Sequence, residues 1–285
     1  SSDVCSSDLL LIHLYFTHEL DLDEGMFAIG NRQQRTQKSW YRLSDDGGRT
    51  WTQPRQIIDS RPGYDARNWA PGVTYGMQGA RPSGQPVFLP DGTLVVGFDI
   101  MHPHKPAGMP PGGAYYITTI YAQARPAAMP EGLTWRFGEQ IDVPFPASTV
   151  GCCEPALVHL GGARLFNTMR CQGSPQHNTY AVRFATVSRD GGMTWTGPEP
   201  LVYDDGTTVW TPAAVHRFFT SRVTGKTYLL ANILDAPVYG QKPRYPLSIA
   251  EFDPVHLCVL RDTVSVIQDR PPGAPAERRY TNFAL

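Results

Sequence analysis

The sequence predicts an all-β fold built from short antiparallel hairpins, and three observations carry that prediction. The 285 residues include 27 Gly and 26 Pro, which interrupt almost every window long enough for a helix. Short runs rich in Val, Ile, Tyr, Phe and Thr recur between these breaks. The turn dipeptides Asp91-Gly92, Gly161-Gly162 and Thr224-Gly225 separate several of the runs.

Taken in order, strands are predicted at residues 9–16, 39–43, 93–98, 115–122, 156–160, 163–167, 179–187, 215–219, 226–230 and 247–252. Each run is apolar or alternating and is bounded by turn residues, the pattern of a buried or half-buried strand. The first eight residues stand apart. They are polar, repeat the unit SSD and precede an abrupt apolar run, with no basic start and no signal-peptide core. Residues 1–8 read as a non-native leader of translated adapter sequence, and residues 9–285 as one domain.

Composition excludes several functional classes. Aromatic residues at 11% and charged residues at 18% argue against a disordered chain. A net charge of −1 offers no electrostatic footprint for nucleic acid or an anionic membrane. No apolar run approaches the roughly 20 residues of a spanning helix. Cys5, Cys152, Cys153, Cys171 and Cys258 match no zinc spacing. Adjacent Cys152 and Cys153 point to opposite faces of a strand, and the group reads as buried small hydrophobes.

One repeat stands out. Residues 44–51 read SDDGGRTW and residues 188–195 read SRDGGMTW, so both fit S-x-D-x-G-x-T-W. The positions are Ser44, Asp46, Gly48 and Trp51, and Ser188, Asp190, Gly192 and Trp195. A degenerate third copy keeps Gly132, Thr134 and Trp135. The Asp can accept hydrogen bonds from N–H groups of its own turn, Gly permits positive φ, and Trp opens the next strand with a large apolar surface. The octet therefore reads as a staple between two strands, with a structural role.

This octet resembles the Asp box of sialidases and related BNR-repeat proteins. The resemblance implies a six-bladed β-propeller of four-stranded antiparallel blades, here incomplete, with part of the first and last blades missing. The segment CEPALVHLGGARLFNTMRCQG at 153–173 is similar to a sialidase stretch in which a Glu is followed, across a tight turn, by an Arg. From the strands alone, Glu154 and Arg170 form a cross-strand ion pair. By resemblance, Glu154 is the base that activates a tyrosine nucleophile, and Arg170 grips the substrate carboxylate. Arg244, in KPRYPLSIAEFD, reads either as an exposed loop residue or, by resemblance, as a second carboxylate clamp. Tyr280, in RRYTNFAL, reads either as a rim tyrosine or, by resemblance, as the nucleophile.

These residue types suit one chemistry. Sialic acid carries a carboxylate on its reacting carbon, which repels a carboxylate nucleophile. A phenol deprotonated by Glu avoids that repulsion, and sialidases are the tyrosine exception among glycosidases. Arginines grip a carboxylate through planar, bidentate hydrogen bonds. Two parts of the constellation stay open. The family's first carboxylate-binding arginine has no counterpart in this chain. Thr17 or His18 occupies the place of its acid/base Asp, leaving Glu19 or Asp21 for that role if the loop bends inward. His102 and His104 lie in a Pro/Gly-rich rim loop without an apparent third ligand, so neither a metal nor a cofactor is expected.

The resemblance implies an exo-sialidase-like glycoside hydrolase that releases terminal sialic acid from sialylated glycans, secreted or periplasmic. The alternatives are a propeller acting on another acidic sugar, as a uronic acid hydrolase or lyase, and a non-catalytic glycan-binding BNR-repeat protein.

Overall fold

A computed structural model describes residues 10–19, 27–29, 32–34, 36–76, 78–102, 106, 108–109, 116–126 and 132–281. The leader at 1–8, Cys5, Asp21 and His104 lie outside the described residues.

Among the described residues, four antiparallel sheets follow one another, and a two-stranded hairpin is inserted in the first. The first holds β1 (Leu11–Glu19), β4 (Thr36–Ser44) and β5 (Arg55–Gln56), with the small hairpin of β2 (Phe27–Ile29) and β3 (Arg32–Gln34) inserted. A four-stranded meander holds β6 (Gly79–Phe88), β7 (Leu94–His102), β8 (Tyr116–Pro126) and β9 (Leu133–Ile141). A second four-stranded meander holds β10 (Cys152–His159), β11 (Leu165–Cys171), β12 (Arg183–Ser188) and β13 (Glu199–Pro200). The last sheet holds β14 (Arg217–Thr220), β15 (Thr227–Ala231), β16 (Leu247–Asp253) and β17 (Cys258–Val259), with β18 (Ser265–Gln268) also paired to β16.

All ten sequence-predicted runs fall in strands, with edges shifted by a few residues. The run at 163–167 becomes Leu165–Cys171, and the run at 179–187 narrows to Arg183–Ser188. Strand β6 carries Pro82, Gly84 and Pro86 and was not among the predicted runs. It is the first strand of its sheet and pairs only with β7, so its prolines remove no donor needed on a second side. Its register shifts between Ser83 and Val87, the mark of a bulge.

The core consists of layers between successive sheets. On β7, Leu94, Val96, Phe98 and Ile100 face Trp69, Trp135 and Phe137 on one side, while Val95 faces Tyr121, Leu157 and Leu165 on the other. On β10, Leu157 faces that second layer, while Ala156 and Val158 face Phe218, Leu229 and Phe252 in a third. A strand of period two whose two faces are both apolar is what a sheet packed between two others requires. Each large side chain buried this way contributes roughly 1.5–3 kcal/mol of transfer free energy. Strand β10 packs against β6 on one side and β14 on the other, so the first strands of three consecutive sheets lie side by side.

The two octets form one structure twice. Asp46 Oδ1 accepts from Ser44 Oγ at 2.8 Å and from Arg49 N at 2.9 Å, and Thr50 Oγ1 donates to Asp46 Oδ2 at 2.7 Å. In the second copy the corresponding distances are 2.8 Å from Ser188 Oγ, 3.1 Å from Met193 N and 2.7 Å from Thr194 Oγ1. Gly48 at φ +88° and Gly192 at φ +90° close the turns, and their carbonyls accept from the indole N–H groups of Trp51 and Trp195. These hydrogen bonds hold the Asp46 and Asp190 carboxyls below their ordinary pKa. The octets join β4 to β5 and β12 to β13, and Gly132 and Trp135 sit at the matching junction of β8 and β9. The repeat therefore marks the third-to-fourth strand connection of the two four-stranded meanders. By that equivalence β1 corresponds to the second strand.

Candidate active site

Glu154 and Arg170 meet at one end of the second four-stranded sheet. The β10–β11 hairpin turns at Gly161 and Gly162, both at positive φ, and its register sets Cys153 opposite Arg170. Between Cys153 and Ala156 that register breaks into a bulge. Within it Glu154 takes φ +49°, immediately before Pro155. A non-glycine residue in this region is uncommon, and a following proline disfavours it further. The bulge turns the Glu154 side chain toward Arg170, whose Nη1 lies 2.8 Å from Glu154 Oε2. The contact is an ion pair, not an aligned hydrogen bond.

The neighbouring sheet holds the bulge in place. Asp99 on β7 is fully buried, and its Oδ1 accepts the Glu154 backbone N–H at 3.0 Å. Its Oδ2 lies 3.3 Å from Arg81 Nη2, and Arg81 is its cross-strand partner on β6. Burial pushes the Asp99 pKa up to about 6, against the pull of Arg81. Pro155 fits where two glycines leave room. A Cβ on Gly84 would lie 2.2 Å from the Pro155 carbonyl oxygen, and one on Gly97 would lie 2.9 Å from its ring.

Arginines surround this pair. Arg183 on β12 is directly opposite Arg170 and completely buried. Its Nη2 donates to the Pro212 carbonyl at 3.3 Å and to the Ala214 carbonyl. Burial, then the Arg170 charge, push the Arg183 pKa down to about 9. Arg217 opens β14, and burial lowers its pKa while Glu154 pulls it up. Arg244 is lowered by burial, then by Arg170 and Arg279, with Glu154 opposing. His216 is buried beside them, its Nε2 2.6 Å from Thr168 Oγ1. Burial and the adjacent arginines hold its pKa well below the ordinary value, so the imidazole is neutral.

Tyr280 joins the same end of the structure through its backbone. Its N–H donates to the Arg244 carbonyl at 2.9 Å, and its own carbonyl accepts from Asn232 Nδ2 at 3.1 Å. Arg244 is oriented by Gln241, whose carbonyl and side-chain oxygen each accept at 3.1 Å. Glu19 closes β1 opposite Thr36, at the strand end that corresponds to Arg170 on β11. The octets lie at the other end, since Ser188 pairs with Leu165 at the start of β11. His102 bonds to Thr118 Oγ1 at 2.9 Å, and burial lowers its pKa.

Cys152, Cys153, Cys171 and Cys258 are buried free thiols, and burial raises the pKa of each. Among the described residues no three His, Cys, Asp or Glu gather to hold a metal.

Sequence reasoning missed Arg183, Arg217 and the brace of Arg81 and Asp99. Arg217 carried one faint signal, a lone cation ahead of an apolar run in VHRFF. Arg183 and Asp99 carried none, because nothing local marks a charged residue as buried.

The BNR repeat-like domain family matches residues 26–256. Similar solved structures include a Hadza microbial sialidase, at 18% identity and TM-score 0.49, covering 85% of this chain and 40% of that one. The NanB sialidase of Streptococcus pneumoniae matches at 15% identity and TM-score 0.46, over 80% of this chain and 28% of that one. A leech intramolecular trans-sialidase, complexed with 2,7-anhydro-Neu5Ac, matches at 16% identity and TM-score 0.44, over 82% and 29%. The chain thus spans less than half the length of each. No curated protein sequence matches it.

Proposed function

The chain belongs to the BNR repeat-like domain family, and from that premise we propose that it is the catalytic part of an exo-sialidase-like glycoside hydrolase releasing terminal sialic acid from glycans. The observation that carries this reading is a charge imbalance. Arg170, Arg183, Arg217 and Arg244 gather around Glu154, with Arg279 beside Arg244, while Asp99 is taken up by Arg81. Guanidinium charges crowded around a single carboxylate, with those of Arg183, Arg217 and Arg244 pulled below their ordinary pKa chiefly by burial, form a site short of negative charge, and a substrate carboxylate relieves the shortage.

In this mechanism Arg170 and Arg244 grip the sugar carboxylate. Glu154 takes the phenol proton of Tyr280, and the phenolate attacks the anomeric carbon to form a tyrosyl-enzyme intermediate. Glu19 or Asp21 protonates the leaving oxygen and then activates the water that releases the sugar with retention. In this reading the fold is a six-bladed propeller whose blades carry their first strands inward, and the working location is secreted or periplasmic.

The test is hydrolysis of a fluorogenic sialoside. Tyr280→Phe is expected to lower turnover by about 10²-fold or more. Wild-type turnover in that variant overturns the assignment. An arginine-rich pocket also suits a uronate, so the same assay includes an acidic polysaccharide. A product absorbing in the near ultraviolet identifies a lyase, and saturable binding without turnover identifies a glycan-binding protein.

A further inference from the structure

We infer that Asp99 is a positioning residue that holds Glu154 in its bulged, left-handed conformation and so aims the carboxylate into the arginine cluster. This inference rests on the reading of Glu154 as a functional base, but the conformational claim stands on separate observations.

Glu154 pays a backbone penalty to adopt φ +49° before a proline, and such a conformation persists only where the surroundings over-determine it. Three features of the adjacent sheet supply that. Asp99 Oδ1 accepts the Glu154 N–H at 3.0 Å, from a side chain with no solvent exposure. Arg81 anchors the other carboxylate oxygen at 3.3 Å. Gly84 and Gly97 leave the space that Pro155 fills. A charged acceptor placed on a backbone N–H forms a stronger hydrogen bond than a neutral one, and more so in a buried setting. The brace crosses from one sheet to the next, so it couples the site to the packing of β6 and β7 against β10. Asp99 holds the backbone N–H of Glu154 and not its carboxylate. Its effect passes through the Glu154 backbone.

The experiment compares the full chain with Asp99→Ala and Asp99→Asn by hydrogen exchange and by sialoside kinetics. Asp99→Ala is expected to speed exchange of the Glu154 amide about tenfold or more while the amides of Leu165–Cys171 stay unchanged. It is also expected to lower kcat about 10²-fold with KM within about threefold, as a misaimed group does. Asp99→Asn keeps an acceptor oxygen for the amide and is expected to restore slow exchange and most of kcat. Unchanged Glu154 exchange in Asp99→Ala overturns the inference. So does acceleration spread over β10 and β11 that Asp99→Asn fails to reverse, because that outcome marks a general packing role. If the unmodified chain turns over no sialoside, the functional reading fails, and the exchange measurement still decides the positioning claim.

Discussion

Arg170 and Arg183 are direct cross-strand partners on β11 and β12, two like-charged residues side by side. Like charges in that relationship are destabilising. Glu154 offsets one of them at 2.8 Å, and backbone carbonyls of the 212–214 loop take the other. The pair therefore carries more positive charge than Glu154 offsets, and the proposed function places the substrate anion there.

A carboxylated sugar should stabilise the protein. N-acetylneuraminate at about 100 times its dissociation constant adds about 2.7 kcal/mol by mass action. A thermal-shift titration is expected to show a rising Tm with this ligand and none with N-acetylglucosamine. Arg170→Ala should abolish the response. Equal responses to both sugars would sink the idea.

Glu154→Gln should damage activity and stability together. Removing the carboxylate leaves Arg170, a half-buried cation, facing Arg183 without its counter-charge, at a cost of about 1–3 kcal/mol. Loss of the proposed base lowers kcat by about 10²–10⁴-fold. Denaturant unfolding and steady-state kinetics read the two effects, and wild-type kcat would exclude a role for this carboxylate in proton transfer.

Ser188→Ala tests the octet. Ser188 is buried, accepts the Gly192 N–H at 2.8 Å and donates to Asp190 at 2.8 Å. Its loss leaves a buried donor unsatisfied and should cost about 1–3 kcal/mol. Because the octet lies at the far end of the strands from Glu154, KM and kcat should hold near wild type below the unfolding transition. A selective loss of kcat would contradict the structural assignment.

Gly84→Ala should push Pro155 out of its socket. The added Cβ meets a backbone carbonyl, and the residue already has φ +78°. Strain and overpacking together suggest about 2–4 kcal/mol of destabilisation. A crystal structure of the variant is expected to show the Glu154 bulge displaced, and an unmoved bulge with wild-type stability would refute the socket.

The stability of the protein should carry a signature of Asp99. Its pKa rises from an ordinary 3.8 to about 6, chiefly through burial. A carboxyl raised in the folded state contributes stability that is fully present below the unfolded pKa and is lost as pH rises through the folded one. Asp99→Asn cannot titrate, so its Tm relative to wild type should improve between pH about 4 and about 7. A pH-independent difference would contradict the buried, ionising carboxyl.

Much of the architecture was legible from the chain. The ten apolar runs became strands because period-two patterning and Gly/Pro punctuation act locally. The Gly161–Gly162 turn placed Glu154 near Arg170 because a hairpin returns its ends to one another. Strand β9 was not among the predicted runs, although Leu133, Trp135 and Phe137 alternate along it. Strand β6 was hidden because its prolines are tolerated only at the unpaired side of a first strand, a fact of position in the sheet.

By itself, then, the sequence determined the hairpins, the stapled turns and the Glu154–Arg170 pairing, since each depends on neighbours within one meander. Only the tertiary structure decided the left-handed bulge at Glu154, its brace by Asp99, and the gathering of Arg183, Arg217 and Arg244 around it. The brace and the approach of Arg217 and Arg244 form where separate sheets pack together, and Arg183 is buried against the 212–214 loop, so no local pattern encodes which buried charge will meet which backbone group.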